Sequence, residues 1–194
     1  VDTGLWLPAA KERRITYVGR ARADKGIAEL LEAFLGLDAP GWTLSLVMSV
    51  QSEEEAAFAR TIEARAEGRV DVELFRSLTI DAVRAELARS AIAALPSIVR
   101  EGFPRAVVEA MSCGCAVIAG GGGGTPEAAG SAAVLLDEVD AAGVRAALAR
   151  LVADSVLSAT LGAGARAHAT SQLDLGVVAR RYDDLIADVA GRGA

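Results

Sequence analysis

The stretch from Pro96 to Gly130 decides the fold of this chain; it reads PSIVREGFPRAVVEAMSCGCAVIAGGGGGTPEAAG. It predicts a strand end, a loop with a glutamate, a helix, a second strand and a five-glycine turn. Pro104 is expected to open the helix, because proline is favoured at the first helical position. Glu101 then lies in the loop and Glu109 about one and a half turns into the helix. Such a pair of carboxylates is suited to binding hydroxyl groups.

Outside this stretch, short apolar runs alternate with segments of helical period. The runs predict strands at residues 15–19, 42–49, 70–75, 91–96, 115–119 and 132–136. The helical segments are 25–37, 53–67, 80–90, 104–112, 125–129, 141–153, 155–161 and 175–189. Strands that alternate with helices are typical of a parallel sheet with crossover helices on both faces. The sequence therefore predicts an α/β fold, a three-layer αβα sandwich with a mostly parallel sheet of about six strands and additional C-terminal helices.

Length and charge limit the classes of protein to which the chain can belong. Its 194 residues suit one well-buried domain. The net charge of −6 and the pI near 4.9 argue against nucleic acid or an anionic membrane as the main partner, since both require a clustered basic surface. No apolar run approaches the ~20 residues of a membrane span, so we expect a cytoplasmic protein. The first residue, Val1, and a 52% hydrophobic composition indicate a fragment of a longer protein.

The cysteine and histidine content of the chain predicts neither a disulfide nor a zinc site. Cys113 and Cys115 are too close in sequence for an unstrained disulfide, so both are predicted to be buried free thiols. His168 is the only histidine, which excludes a zinc set built on histidines and cysteines, and we expect it on the surface. No Asp-x-Asp pair occurs, so no metal site is predicted.

Candidate ligand-binding residues follow several of the predicted strands. Arg20, Lys25, Glu101 and the glycine run 120–124 all lie at predicted carboxyl ends of strands, where open parallel sheets bind ligands. Lys25 would follow a helix N-cap at Asp24, and a cation there is unfavourable unless an anion joins it. The alternatives remain a solvated surface lysine, an exposed loop acid at position 101 and a flexible glycine connector.

These motifs together resemble the family 4 (group 1) retaining glycosyltransferases, which have two Rossmann-like halves in the GT-B architecture. The similarity rests on the two glutamates with seven residues between them, on YVGRARADKGIAELLEAF (17–34), on VDTGLWLP (1–8) and on GGTPE (123–127). The resemblance implies the Rossmann-like C-terminal half of such an enzyme. Residues 1–14 would be a remnant of the interdomain connector, 15–170 the donor-binding domain and 171–194 a C-terminal helix that packs back on it.

The resemblance also implies roles for single residues. Arg20 and Lys25 would bind the donor diphosphate, Glu101 the transferred hexose and Glu109 the ribose. Arg20, Lys25 and Glu101 would also form the catalytic set. The remaining substrate-binding residues would be Gly19, Gly102, Phe103, Pro104 and Arg105, with Phe103 packed inward. No cofactor and no metal is expected beside the nucleotide sugar.

Some positions depart from the family's pattern or allow another interpretation. Pro104 stands where the family more often has glycine and lacks an N–H donor. Arg76 replaces a frequent glycine, and residues 49–52 lack the usual glycine turn, so base recognition cannot be inferred. Glu109 is also spaced for a helical ion pair with Arg105.

The expected function is the donor-binding half of a retaining glycosyltransferase, inactive without its missing N-terminal domain. The acceptor would be a lipid or a polysaccharide precursor, and the full-length protein would be cytoplasmic or peripheral to the inner face of the membrane. Alternatives are a free-standing nucleotide-sugar-binding module and an epimerase or phosphorylase of similar architecture.

Overall fold

The computed structural model describes residues 1–191, so residues 192–194 of the predicted C-terminal segment lie outside the described residues. The strands are β1 (Glu12–Arg20), β2 (Thr43–Ser49), β3 (Val72–Arg76), β4 (Ser90–Leu95), β5 (Ala116–Gly120) and β6 (Val134–Leu136). The helices are α1 (Ile27–Leu35), α2 (Glu53–Arg65), α3 (Ile80–Arg89), α4 (Arg105–Ser112), α5 (Thr125–Ala129), α6 (Ala141–Ala153), α7 (Ser155–His168) and α8 (Leu175–Gly191).

The six strands form one sheet in the order β3-β2-β1-β4-β5-β6, and all neighbouring strands are parallel. The predicted α/β, Rossmann-like sandwich is therefore confirmed. The connection changes direction between β1 and β4, which is the topological switch point where such sheets bind ligands. β1 begins at Glu12, so the predicted connector 1–14 ends inside the sheet.

The central strands are apolar because helices cover both faces of the sheet. Every residue of β5 is buried, and Ile15 and Tyr17 in β1 are at most 1% exposed. α4 buries its apolar side against the sheet and α7, so its outward edge and N-terminus are left to carry polar groups.

Two helix starts differ from the sequence-based prediction. Asp24 is not an N-cap; it lies in a short 3₁₀ turn, and α1 begins after Gly26, which has a φ of 69°. A side chain cannot replace this glycine, because a Cβ would lie 1.9 Å from the carbonyl oxygen of Pro96. Pro104 occupies the N-cap of α4 rather than its first turn. α5 covers the predicted range 125–129, and its N-cap is Gly124.

The last helix does not pack its apolar side on the domain, contrary to the prediction for this segment. No described residue of α8 is buried, and Leu185, Ile186 and Val189 are each more than half exposed. The start of the helix is bonded to the rest of the chain, where Leu175 N–H donates to the carbonyl of Val1. Among residues 1–191, no single helix is long and apolar enough to cross a membrane, and one bent pair, α6 with the α7–α8 segment, meets that test only jointly.

The two cysteines are buried and free, as predicted. Burial raises the pKa of Cys113 to about 12 and that of Cys115 to about 11, so both stay protonated near neutral pH. His168 is half-buried, and its Nε2 lies 3.2 Å from the carbonyl oxygen of Ala128. The predicted surface position of His168 is therefore wrong, since the ring joins α7 to α5.

Candidate functional site

Two loops meet at the switch point of the sheet and bring opposite charges together. The Ile98 N–H, in the loop after β4, donates to the carbonyl of Asp24, in the loop after β1, at 2.9 Å. Lys25 and Glu101 project from these same loops, and Lys25 Nζ lies 2.5 Å from Glu101 Oε1. The Lys25 side chain is only 21% exposed, so the alternative of a solvated surface lysine is wrong.

A cavity of about 210 Å³ opens at this junction. The predicted site residues that line it are Gly19, Arg20, Lys25, Glu101 and Pro104. It is also lined by residues that sequence reasoning does not single out, among them Tyr17, Ser97 and Thr125. A larger cavity of about 530 Å³ lies at the opposite edge of the sheet, where Lys11, Trp42 and Gly114 precede their strands. Of these two cavities, only the smaller is lined by the predicted residues Arg20, Lys25 and Glu101, so it is the candidate site.

Glu101 is ionised in this setting. Burial opposes its ionisation, but hydrogen bonds from Lys25 and from Ser97 Oγ, the latter at 2.8 Å, hold the pKa of the carboxyl below its ordinary value of 4.5. Glu101 is half-buried rather than a free loop acid. The carboxylate is thus available as an acceptor, and Lys25 is its present donor.

Arg20 is paired with a glutamate that the sequence analysis missed. Arg20 Nη2 lies 2.5 Å from Oε1 of Glu55, whose side chain is only 3% exposed. Glu55 stands in the first turn of α2, three residues after Ser52. A serine followed three residues later by glutamate is the capping-box signature. That signal predicts the helix start, but nothing in it indicates a contact with β1.

Tyr17 forms the floor beneath the end of β1. Its hydroxyl donates to the carbonyl of Arg20 at 3.0 Å, and burial raises its pKa, so the phenol remains a neutral donor. A Cβ on Gly19 would lie 2.4 Å from this hydroxyl. Glycine is therefore required at position 19 unless Tyr17 moves.

The glycine run 120–124 packs against the Glu101 loop and is not a flexible connector. Gly123 pairs with Glu101 as an isolated parallel bridge, and the N–H of Gly124 donates to the carbonyl of Glu101 at 2.7 Å. A Cβ on Gly124 would lie 2.0 Å from the carbonyl oxygen of Gly102. The run thus fixes the backbone that presents Glu101.

The other predicted site residues lie beside the cavity rather than in its lining. Glu109 is 8% exposed, and burial raises the pKa of its carboxyl although Arg105, at 3.4 Å, partly offsets this. Arg105 is mostly exposed. Gly102 faces open space, since a Cβ at this position would meet no atom within 4 Å. Phe103 is 53% exposed, so the prediction that it packs inward is wrong.

A parallel α/β sheet with charged loops at its switch point defines a ligand-binding domain of the doubly wound class. The family model for glycosyl transferases group 1 matches residues 6–168, so the chain belongs to that family. A comparison with curated proteins finds no match.

Solved structures of the same fold include enzymes and single domains. The C-terminal domain of a glycosyl transferase group 1 family protein from Francisella tularensis is 22% identical, with a TM-score of 0.80 over 90% of this chain and 99% of that one. HepE from Anabaena, in complex with UDP, is 19% identical, with a TM-score of 0.85 over 97% and 56%. A sucrose-phosphate synthase from Thermosynechococcus elongatus is 22% identical, with a TM-score of 0.83 over 99% and 51%. The chain thus spans about half the length of the latter two proteins.

Proposed function

We propose that the chain is the donor-binding half of a retaining, family 4 glycosyltransferase that transfers a hexose from a nucleoside diphosphate sugar to an acceptor. The observation that carries this proposal is the convergence of Arg20, Lys25 and Glu101 on one cavity at the switch point of the sheet. The similar Anabaena HepE was solved with UDP, which supports a nucleotide as the ligand.

The two cations would bind the diphosphate. Arg20 and Lys25 come from the end of β1 and the turn that follows it, so they approach the same side of the cavity. During transfer, negative charge develops on the departing diphosphate, and cations placed beforehand stabilise it. We propose that these side chains do this work without a metal ion or another cofactor.

The acidic residues would hold the hydroxyl groups on either side of the diphosphate. Glu101 lines the cavity and would accept from the hexose, because a hydrogen bond to a carboxylate contributes ~1.5–3 kcal/mol. Glu109 lies farther along α4 and would accept from the ribose. In this proposed arrangement the sugar would lie at the β4 loop and the nucleoside along α4.

A second domain would complete the enzyme. The chain covers about half of two similar glycosyltransferase-fold proteins, and α8 leaves its apolar side uncovered among the described residues. We propose that an N-terminal half supplies the acceptor site, for a lipid or a polysaccharide precursor, and that this chain alone binds the donor but does not transfer sugar.

Titration calorimetry with UDP, GDP and ADP tests the proposal. Lys25→Ala should weaken the best-binding nucleotide at least tenfold, because it removes a hydrogen bond to a charged group, ~1.5–3 kcal/mol. Arg13→Ala is the matched control, since Arg13 is an exposed cation at the opposite end of β1. Equal affinities of Lys25→Ala and the unchanged chain, or no binding by any of the three nucleotides, would contradict the proposal.

A further inference from the structure

A buried carboxylate lies just outside the candidate site. Glu55 is 2% exposed and is fixed at the start of α2 by a variant of the capping box: its N–H donates to Ser52 Oγ at 3.2 Å, and its Oε2 accepts at 2.7 Å from the N–H of Gln51, the residue before the N-cap. A capping box satisfies helix N–H groups that would otherwise lack partners. One carboxylate oxygen is therefore held by the backbone.

The other oxygen of Glu55 has a different partner. Oε1 lies 2.5 Å from Arg20 Nη2, and within residues 1–191 Arg20 is the only cationic side chain paired with Glu55. A buried carboxylate is strongly unfavourable without such a partner. The pair therefore restrains Arg20, although its side chain is 43% exposed and would otherwise be mobile.

The restraint leaves most of the guanidinium free for a ligand. A guanidinium has five N–H donors in a fixed plane, and in the described part of the chain no hydroxyl or carbonyl oxygen accepts from Arg20. Its side chain lines the cavity beside Lys25. Nη2 of Arg20 forms an ion pair with Glu55, and the other donors of the guanidinium remain available to a ligand in the cavity that the side chain lines.

We propose that Glu55 is a positioning residue, which acts through Arg20 by holding its guanidinium in the orientation that binds a diphosphate. The inference rests on the proposed function. A positioning role and a simple charge effect predict opposite changes in affinity when the Glu55 charge is removed. If the carboxylate merely repelled the anion, its removal would tighten binding. A positioning role requires the opposite, because a guanidinium released from Glu55 must be ordered again when the ligand binds.

Glu55→Gln tests the role while it keeps the helix start. Glutamine also serves in capping boxes, so the bond to Gln51 can persist while the charge opposite Arg20 is lost. The control is Ser52→Ala, which removes the other half of the box and leaves the carboxylate in place. Glu55→Asp provides a second arm, because it keeps the charge but is too short to hold both partners.

The affinity for the best binder among UDP, GDP and ADP is measured by titration calorimetry of the 194-residue chain. Glu55→Gln should weaken binding about tenfold, Glu55→Asp should weaken it in the same direction, and Ser52→Ala should leave it within about twofold of the original. In an Arg20→Ala background, Glu55→Gln should cause no further loss, since the effect passes through Arg20. The Nε–H resonance of Arg20, followed by ¹⁵N relaxation, should become mobile in Glu55→Gln and not in Ser52→Ala.

The outcomes separate this inference from the proposed function. If the unchanged chain binds a nucleotide and Arg20→Ala weakens it, but Glu55→Gln binds equally or more tightly, the positioning role is refuted and the function stands. An equal loss from Glu55→Gln in the Arg20→Ala background would also refute it. If no nucleotide binds the unchanged chain, both proposals fail.

Discussion

Replacing Glu101 by glutamine should have opposite effects on a nucleoside diphosphate and on its sugar conjugate. Glu101 now accepts from Lys25 at 2.5 Å, and both side chains are about a quarter exposed. A diphosphate must compete with this carboxylate for Lys25. Glutamine has nearly the same size but no charge, so Lys25 becomes free to bind phosphate, whereas the proposed hexose acceptor is weakened.

The magnitude follows from the exposure of the pair. A fully exposed ion pair contributes ~0–1 kcal/mol and a buried hydrogen bond to a charge ~1.5–3 kcal/mol. For a partly exposed pair we take about 1 kcal/mol, which makes the nucleoside diphosphate bind about fivefold more tightly. This gain is common to both ligands. The ratio of their affinities therefore isolates the hexose contact and should fall roughly ten- to 150-fold against the conjugate.

Titration calorimetry of both ligands at neutral pH measures this ratio. Glu138→Gln is the matched control. Glu138 is exposed in the loop after β6, so this substitution removes the same charge from the same edge of the sheet. An unchanged ratio would show that Glu101 does not hold the hexose. A nucleoside diphosphate affinity that stayed equal or fell would show that Lys25 and Glu101 do not compete.

Two further substitutions test the packing of the glycine run and the burial of Glu109 beside the site. Gly124→Ala should lower the free energy of unfolding by about 1–3 kcal/mol, because its Cβ would lie 2.0 Å from the Gly102 carbonyl oxygen. Gly122→Ala is the control, since the atom nearest to its Cβ would lie at 3.4 Å. Equal melting temperatures of the two variants would contradict this prediction. Glu109→Gln should raise the melting temperature at pH 7 yet weaken nucleotide binding. Burial raises the pKa of Glu109 above its ordinary value of 4.5, so ionisation of this carboxyl destabilises the folded chain as the pH rises. The higher melting temperature of Glu109→Gln should therefore disappear below about pH 4.5, where the carboxyl is protonated in both the folded and the unfolded chain. A higher melting temperature that persisted below that pH would refute this reasoning.

The sheet and the centre of the site could be predicted because both follow from local patterns. Strands buried on both faces give continuous apolar runs, as in β5, and the carboxyl ends of such strands meet at one edge. Lys25 and Glu101 are far apart in sequence, yet this rule alone brings them together. The glycine run is predicted at the same edge, but its packing against Glu101 depends on backbone contacts so close that a Cβ on Gly123 or Gly124 would lie about 2 Å from a carbonyl oxygen, and no sequence pattern specifies such contacts.

What could not be predicted depends on contacts between distant elements. Glu55 carries a capping signature, but its contact with Arg20 arises only when the start of α2 lies beside the carboxyl end of β1. The inward position predicted for Phe103 is wrong because the loop leaves the ring exposed, and an apolar residue on the surface violates no physical rule. The apolar residues Tyr182, Leu185 and Ile186 of α8 are exposed, although their periodicity predicts a buried face, because periodicity does not specify which element a helix packs against.

The pairing of charges would allow an acidic chain to bind the proposed diphosphate without a strongly basic surface. Each cation proposed to bind phosphate is paired with a carboxylate: Arg20 with Glu55 and Lys25 with Glu101. The positive and negative charges of these four side chains therefore cancel. The two pairs differ in exposure, since Glu55 is 3% and Glu101 27% exposed at the side chain. Desolvation makes the Arg20 pair costly to separate, whereas solvent can replace the partner of Lys25. Ligand binding should therefore exchange one pair and keep the other, which gives the site a fixed cation and a releasable one.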